Sequence, residues 1–284
     1  ILSKVGIYAV VRLWLLLFGE SAGDSAGFGA SWLLFGGLLT IAFGSVAVLA
    51  TQNLARLAGA SILVSSGTIL AAVGAGQIAV TGGALFYLAT SVLAIAAFFL
   101  LIELVERGRQ IGADMLLVTR EAYGEGDEGP AEEEEIAIPI PAVTAILGGS
   151  FLACTLLLAG LPPLSGFLAK FAILAPLVGA GGGNLSVTAW ILLAALVASG
   201  LATVVAMARA GIDAFWTSPV EEQRVHLTEI APIAVLLAIC VAMTIRAEPV
   251  ARYVSVTAQA LHAPEEYIRA LFPPAEPPPA KEAN

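Results

Sequence analysis

Charge is scarce in this chain, and its scarcity excludes much of what a soluble protein does. Charged residues make up 12% of the 284 positions, where a soluble domain carries about 25%. Only 13 residues are Lys or Arg and they form no cluster, so no nucleic-acid partner is expected. Histidine is nearly absent. His226 and His262 stand apart near the ends of apolar segments and read as solvated or capping residues rather than ligands. Cysteine is limited to Cys154 and Cys240, both inside apolar runs, which read as small buried hydrophobes. No disulfide framework or metal site follows from them. With no GxGxxG or P-loop pattern, no cofactor is expected either. The chain also lacks an initial Met and a charged leader. Ile1 opens directly inside an apolar segment, which is not the pattern of a signal peptide and predicts a fragment whose N-terminal part is missing.

What the chain has instead is apolar length. Hydrophobic residues reach 58% and mean hydropathy is +0.91, which predicts an all-α polytopic membrane helix bundle. Runs of roughly 20 apolar residues cross a bilayer, and they fall at about 1–18, 31–52, 57–77, 82–105, 140–181, 186–209 and 228–246. The run 140–181 is interrupted around Pro162 and Pro163, so it reads either as two spans or as one discontinuous helix. Counted once, it places Arg56, Arg107, Arg109, Arg120, Arg209 and Arg224 on one side of the membrane, as the positive-inside bias favours. Counted twice, it moves Arg209 and Arg224 across. About seven spans are therefore expected, one of them discontinuous, with Arg246 and Arg252 on the opposite side. The expected organisation is a membrane domain over 1–248, with a cytoplasmic acidic loop at 106–139, followed by a segment 249–284. The loop ends in the like-charge run Glu132 to Glu135, a solvated pattern. The last segment is expected to hold an interfacial helix, in the weakly amphipathic stretch Pro264 to Phe272, and a disordered Pro-rich tail. A docking strip for a partner subunit is the alternative reading of that stretch.

Within the apolar runs a few polar residues stand out. Lys170 follows the break Gly160-Leu161-Pro162-Pro163-Leu164-Ser165-Gly166 and should lie at membrane depth. A cation there costs about 3 kcal/mol on insertion scales, and an intramembrane ionisable residue is a functional candidate by default. Pro162, Pro163, Ser165 and Gly166 cannot continue a regular helix, and the backbone groups they leave unpaired need protein or water around them. Lys4 is the second candidate. Arg12 lies eight residues further along the same helix, about 12 Å away, so one of these two cations is deep and needs a polar partner. The third span carries Ser61, Ser65 and Thr68 on one face. The fourth carries Tyr87 and Ser91 on one face, with Thr90 beside them. These hydroxyls read either as helix–helix packing groups or as a path of ordered water between titratable groups, in which they could only relay a proton. An amine held away from water can exist with or without its proton, which is what a proton carrier requires.

The segments Lys4-Val5-Gly6-Ile7-Tyr8-Ala9-Val10-Val11-Arg12 and Ala159 to Phe171 resemble the antiporter-like subunits shared by Mrp-type cation/proton antiporters and respiratory complex I. Gly82-Gly83-Ala84-Leu85-Phe86-Tyr87 looks like the start of that family's eleventh helix, and Ala206 to Trp216 like the end of the thirteenth helix in its Mrp D-type member. The resemblance covers the chain to about residue 246. It implies helices 8–14 of a 14-helix protein, the C-terminal half of a D-type Mrp antiporter subunit. It further implies a proton-translocating part of a multi-subunit Na+ or K+/proton antiporter, a transporter subunit rather than an enzyme, in the inner (plasma) membrane of a bacterium. Its partners would be other membrane subunits of the complex, protons, Na+ or K+, and the lipid bilayer. The alternative implied by the same superfamily is a proton-pumping, non-redox membrane subunit of an NADH:quinone oxidoreductase or a membrane-bound hydrogenase. Lys4 matches the family's central lysine of the eighth helix, and Lys170 its ionisable residue of the discontinuous twelfth. The chain departs from the family where Ser65, Tyr87 and Ser91 replace frequent histidines and Ile95 a frequent lysine.

Overall fold

In a lipid core each backbone group must find its partner within the protein, and a helix does this within one segment. The computed structural model describes residues 2–123, 142–179, 186–215 and 227–263, and among these every regular element is helical. Helix α1 (Leu2–Phe18) is followed by a short 3-10 turn, Glu20–Ser25, and α2 (Ala30–Ala50). Helix α3 (Leu54–Gly74) is capped by Asn53, whose Oδ1 accepts the Arg56 N–H at 3.0 Å. Then come α4 (Ile78–Tyr123), α5 (Ala142–Ala159), α6 (Ser165–Gly179), α7 (Val187–Phe215), α8 (Leu227–Ile245) and α9 (Ala247–His262). Stretches in α2, α3, α4, α7 and α8 are long and apolar enough to cross a membrane by length and composition. Helix α6, at 15 residues, spans about 22 Å and is too short to cross the roughly 30 Å hydrocarbon core alone.

Two buried clusters show how the broken run crosses the bundle. One gathers the start of α3 (Leu54, Leu57), the end of α4 (Leu101, Val105), the start of α5 (Leu147, Phe151) and the end of α7 (Ala210, Ala214). The other gathers the end of α3 (Ile69, Val73), the start of α4 (Val80, Ala84), α6 (Ile173, Leu177) and the start of α7 (Ala189, Leu192). Helix α5 therefore begins at the end where α3 starts, and α6 finishes at the other. Together they make one discontinuous passage beside the five helices long enough to cross, and α1 packs against α3, among the described residues. Arg56, Arg107 and Arg209 consequently share one end: Arg209 donates to Leu49 O at the end of α2, and Arg107 pairs with Glu229 at the start of α8. Glycines set the closest helix contacts. A Cβ on Gly67 would fall 2.6 Å from Gly37 O, so α2 and α3 touch backbone to backbone. A Cβ on Gly83 of α4 would likewise fall 2.6 Å from Ala172 O of α6, the carbonyl whose i+4 partner is Pro176 and so lacks a helical donor.

One expectation is corrected. The segment from 106 does not leave the helix: α4 runs 46 residues to Tyr123, about 69 Å, so the first part of the expected loop 106–139 is helical. Leaving the membrane does not end a helix, and no Gly-rich or Pro-containing stretch interrupts this one before Gly124. An amphipathic helix, α9 at Ala247–His262, precedes the stretch Pro264 to Phe272. The acidic run Glu132 to Glu135, His226, Trp216, Pro264 to Phe272 and the Pro-rich tail lie outside the described residues.

Candidate functional site

The helix break creates an acceptor, and Lys170 takes it. Gly160 adopts φ +73°, a left-handed conformation that only glycine enters without cost, and ends α5 there. Its N–H and that of Leu161 both donate to Leu156 O at 3.0 Å. The next carbonyls, Leu158 O and Ala159 O, would look for donors at 162 and 163, and both positions are proline. Lys170 Nζ, one turn into α6, fills one of these gaps by donating to Ala159 O at 2.7 Å. The side chain is buried, 7% exposed, and two glycines make its cradle. A Cβ on Gly160 would lie 2.6 Å from Lys170 Cδ, and one on Gly200 of α7 would lie 2.8 Å from Ala159 O and 3.5 Å from Nζ. Of the other break residues, Ser165 and Gly166 are buried while Pro162 and Pro163 are exposed. The Ser165 hydroxyl lies beside the Cys240 thiol yet hydrogen-bonds no described group.

Lys4 is the deep cation of α1. It is 4% exposed, whereas Arg12 is exposed, and its Nζ donates to Ser65 Oγ at 2.6 Å. No other bond of Lys4 is present among the described residues. Ser65 is also part of the wall of a cavity between α3, α4, α5 and α7, just large enough for one water molecule. Ser61 and Ser65, then Tyr87, Thr90 and Ser91, line it as polar groups, joined by Thr203 of α7. The apolar wall is Val64, Leu157 and Leu158, the two leucines directly preceding Ala159. Thr68 stands behind the cavity, against the Tyr87 phenol.

These hydroxyls are hydrogen-bonded first within their own helices. Each gives its proton to a carbonyl of its own helix: Ser61 to Leu57 O (2.9 Å), Ser65 to Ile62 O (3.0 Å) and Thr68 to Val64 O (2.8 Å). Thr90 donates to Tyr87 O (3.1 Å), Ser91 to Leu88 O (3.0 Å) and Thr203 to Ser199 O (2.8 Å). A carbonyl can only accept, so the proton direction is unambiguous. What faces the cavity is lone pairs. Thr203, Ser199 and Gly200 were not singled out in the sequence. Their signal was available as small and hydroxyl residues at 199, 200 and 203 within the apolar run of α7. Gly200 touches the Lys170 cradle and Thr203, three residues on, touches the cavity, so one face of α7 joins the two lysine sites.

A third polar contact lies apart. His262 of α9, expected as solvated or capping, is buried, 8% exposed, with Nε2 3.0 Å from Thr81 Oγ1 at the start of α4.

Fold and site define the class: a polytopic helical membrane protein built on a broken helix and two buried lysines. The chain is 54% identical over 93% of its length to the D-type subunit of a probable K+/H+ antiporter of Rhizobium meliloti (strain 1021). It is 29% identical over 96% of its length to the D-type subunit of a Na+/H+ antiporter of Bacillus subtilis (strain 168). It spans about half of each relative, 50% in both cases. The structure of the Mrp complex from Dietzia sp. DQ12-45-1b shares the fold, with TM-score 0.70 and 18% identity over 94% of this chain and 53% of that one. No family model matches. Over most of its length the chain is a homologue of these D-type antiporter subunits.

Proposed function

We propose that the chain is the part of a D-type antiporter subunit that passes protons across the membrane in exchange for Na+ or K+. It does so as one membrane component of a multi-subunit complex in the bacterial inner membrane, and as a transporter rather than an enzyme. The observation that carries this reading is the Lys170 cradle. An amine is buried at a helix break and held by a carbonyl that two prolines leave open. Such an amine binds and releases a proton without a conformational change larger than its own rotation. The relatives' names, which specify K+/H+ and Na+/H+ antiporters, support the exchange chemistry. Lys4 is the second carrier, coupled to the cavity by Ser65. From this cavity the route runs past Thr203 and Gly200 toward Lys170.

The test is Lys170→Ala in the full-length complex, assembled and reconstituted into vesicles. Cation-dependent proton flux is expected to vanish while subunit stoichiometry is unchanged. Wild-type exchange in that variant would overturn the reading.

A further inference from the structure

The cavity beside Lys4 has an unusual chemical character: its polar wall is made of acceptors. Five hydroxyl oxygens, from Ser61, Ser65, Thr90, Ser91 and Thr203, line it with their protons turned away to helix carbonyls. Tyr87 is the one remaining polar lining group, and its phenol lies against Thr68. Thr68 itself donates to Val64 O. A water molecule has two protons and can satisfy only two of these acceptors. A cation satisfies all it can reach. Rings of neutral oxygen dipoles replace the hydration shell of a monovalent cation in membrane pores without any carboxylate, and a potassium ion is about the size of a water molecule.

A second observation shows that this wall holds positive charge. The Lys4 ammonium, buried and without a carboxylate, donates to Ser65, one of the lining hydroxyls, at 2.6 Å. We propose that the cavity formed by Ser61, Ser65, Thr90, Ser91 and Thr203 is a binding site for a monovalent alkali cation, occupied in exchange for the proton on Lys4. This rests on the antiport reading above and names where its two ions meet. With Lys4 charged, a second unit charge one hydroxyl away is disfavoured by about a hundredfold or more. When the cation enters, Lys4 gives its proton to water and becomes a neutral amine; when the cation leaves, Lys4 takes a proton back. The site carries one positive charge in both states, so the exchange is balanced. Among the described residues no other titratable group stands in for Lys4. On its own helix are Tyr8 and the exposed Arg12. Helix α3 brings only Arg56, nine residues before Ser65. Helix α9 brings Glu248, Arg252, Tyr253 and His262, and the 3-10 turn brings Glu20 and Asp24 beyond the far end of α1. In the cavity itself only Tyr87 titrates.

The full-length complex in detergent should bind radioactive rubidium or sodium, with up to one proton released to a pH indicator per ion bound and with binding lost as pH falls. Ser61→Ala with Ser91→Ala is expected to weaken binding about tenfold or more. Thr203→Val, nearly isosteric, makes the same test should the double variant not assemble. Lys4→Met is expected to keep cation binding and lose the proton release. The proposal is overturned by hydroxyl variants that bind the ion as the wild type does, or by undiminished proton release in Lys4→Met. It is equally overturned by slower flux with an unchanged half-saturating cation concentration, which would make the cavity a water site. Lys170→Ala separates the two levels. Wild-type exchange there sinks the antiport role of Lys170 and leaves the binding result standing, whereas lost exchange with normal binding supports both.

Discussion

Replacing Gly200 by alanine tests the Lys170 cradle with a single methyl group. The added Cβ would stand 2.8 Å from Ala159 O and 3.5 Å from Lys170 Nζ, against a backbone that the helix break already fixes. Either α7 moves away or the carbonyl turns, and the 2.7 Å bond from Lys170 is lost in both cases. A hydrogen bond to a charged group contributes about 1.5–3 kcal/mol, and each 1.36 kcal/mol on a barrier is about tenfold in rate. Exchange should therefore fall by roughly 10- to 100-fold if Lys170 protonation limits it. Stability should change less. Overpacking costs about 1–3 kcal/mol, and alanine in mid-helix recovers up to about 1 kcal/mol relative to glycine. Gly211→Ala is the matched control on the same helix. Its Cβ would meet Phe151 Cε1 at 2.8 Å, a ring away from both lysines that can tilt aside. The assay is cation-dependent proton flux in vesicles carrying the full complex, with thermal unfolding measured on the same samples. Exchange at the wild-type rate in Gly200→Ala, or equal losses in Gly200→Ala and Gly211→Ala, would refute the reasoning.

Three further substitutions probe the frame around the site. Gly83→Ala would put a methyl 2.6 Å from Ala172 O and Ile173 N, backbone that cannot swing away. It should lower stability by about 1–3 kcal/mol and appear as a lower unfolding temperature, and an unchanged temperature would count against this α4–α6 contact. Thr81→Val removes the hydroxyl 3.0 Å from His262 Nε2. It should weaken α9 docking by about 1–3 kcal/mol, read as faster amide exchange over 250–262 with α3 unaffected. Arg107→Gln breaks a 2.9 Å pair whose members are 45% and 29% exposed. It should shift stability by no more than about 1 kcal/mol, and a large loss by thermal unfolding would mean the pair holds α4 to α8 more firmly than its exposure suggests.

The sequence made some of this legible and hid the rest for physical reasons. Apolar runs became helices because lipid leaves a spanning chain few alternatives, and the proline pair marked the break because it removes two donors. Charge asymmetry alone favoured counting 140–181 as one passage, and the two buried clusters place α5 and α6 at opposite ends of the bundle. The partners of the lysines were not legible. Ser65 lies 61 residues from Lys4, and which face of α7 meets the Lys170 cradle depends on a helix rotation that no local pattern encodes. Charges at Glu106 and Arg107 suggested a loop where the chain only leaves the membrane. The spacing of Val250, Val254, Ala258 and Leu261 carried the α9 face, but the polar residues between them read as tail.

The hydroxyls show how tertiary chemistry reverses a local reading. Serine or threonine on an apolar helix has no water at hand, and its nearest acceptor is a carbonyl three or four residues back. That bond takes the proton every time in the cavity wall here. A set of such helices facing inward thus presents hydroxyl lone pairs, which favour an electropositive occupant. Lys4, buried and bonded to Ser65, uses one of these lone pairs. A histidine at such a position could carry a proton itself; serine at 65 and 91 can only hold whatever does.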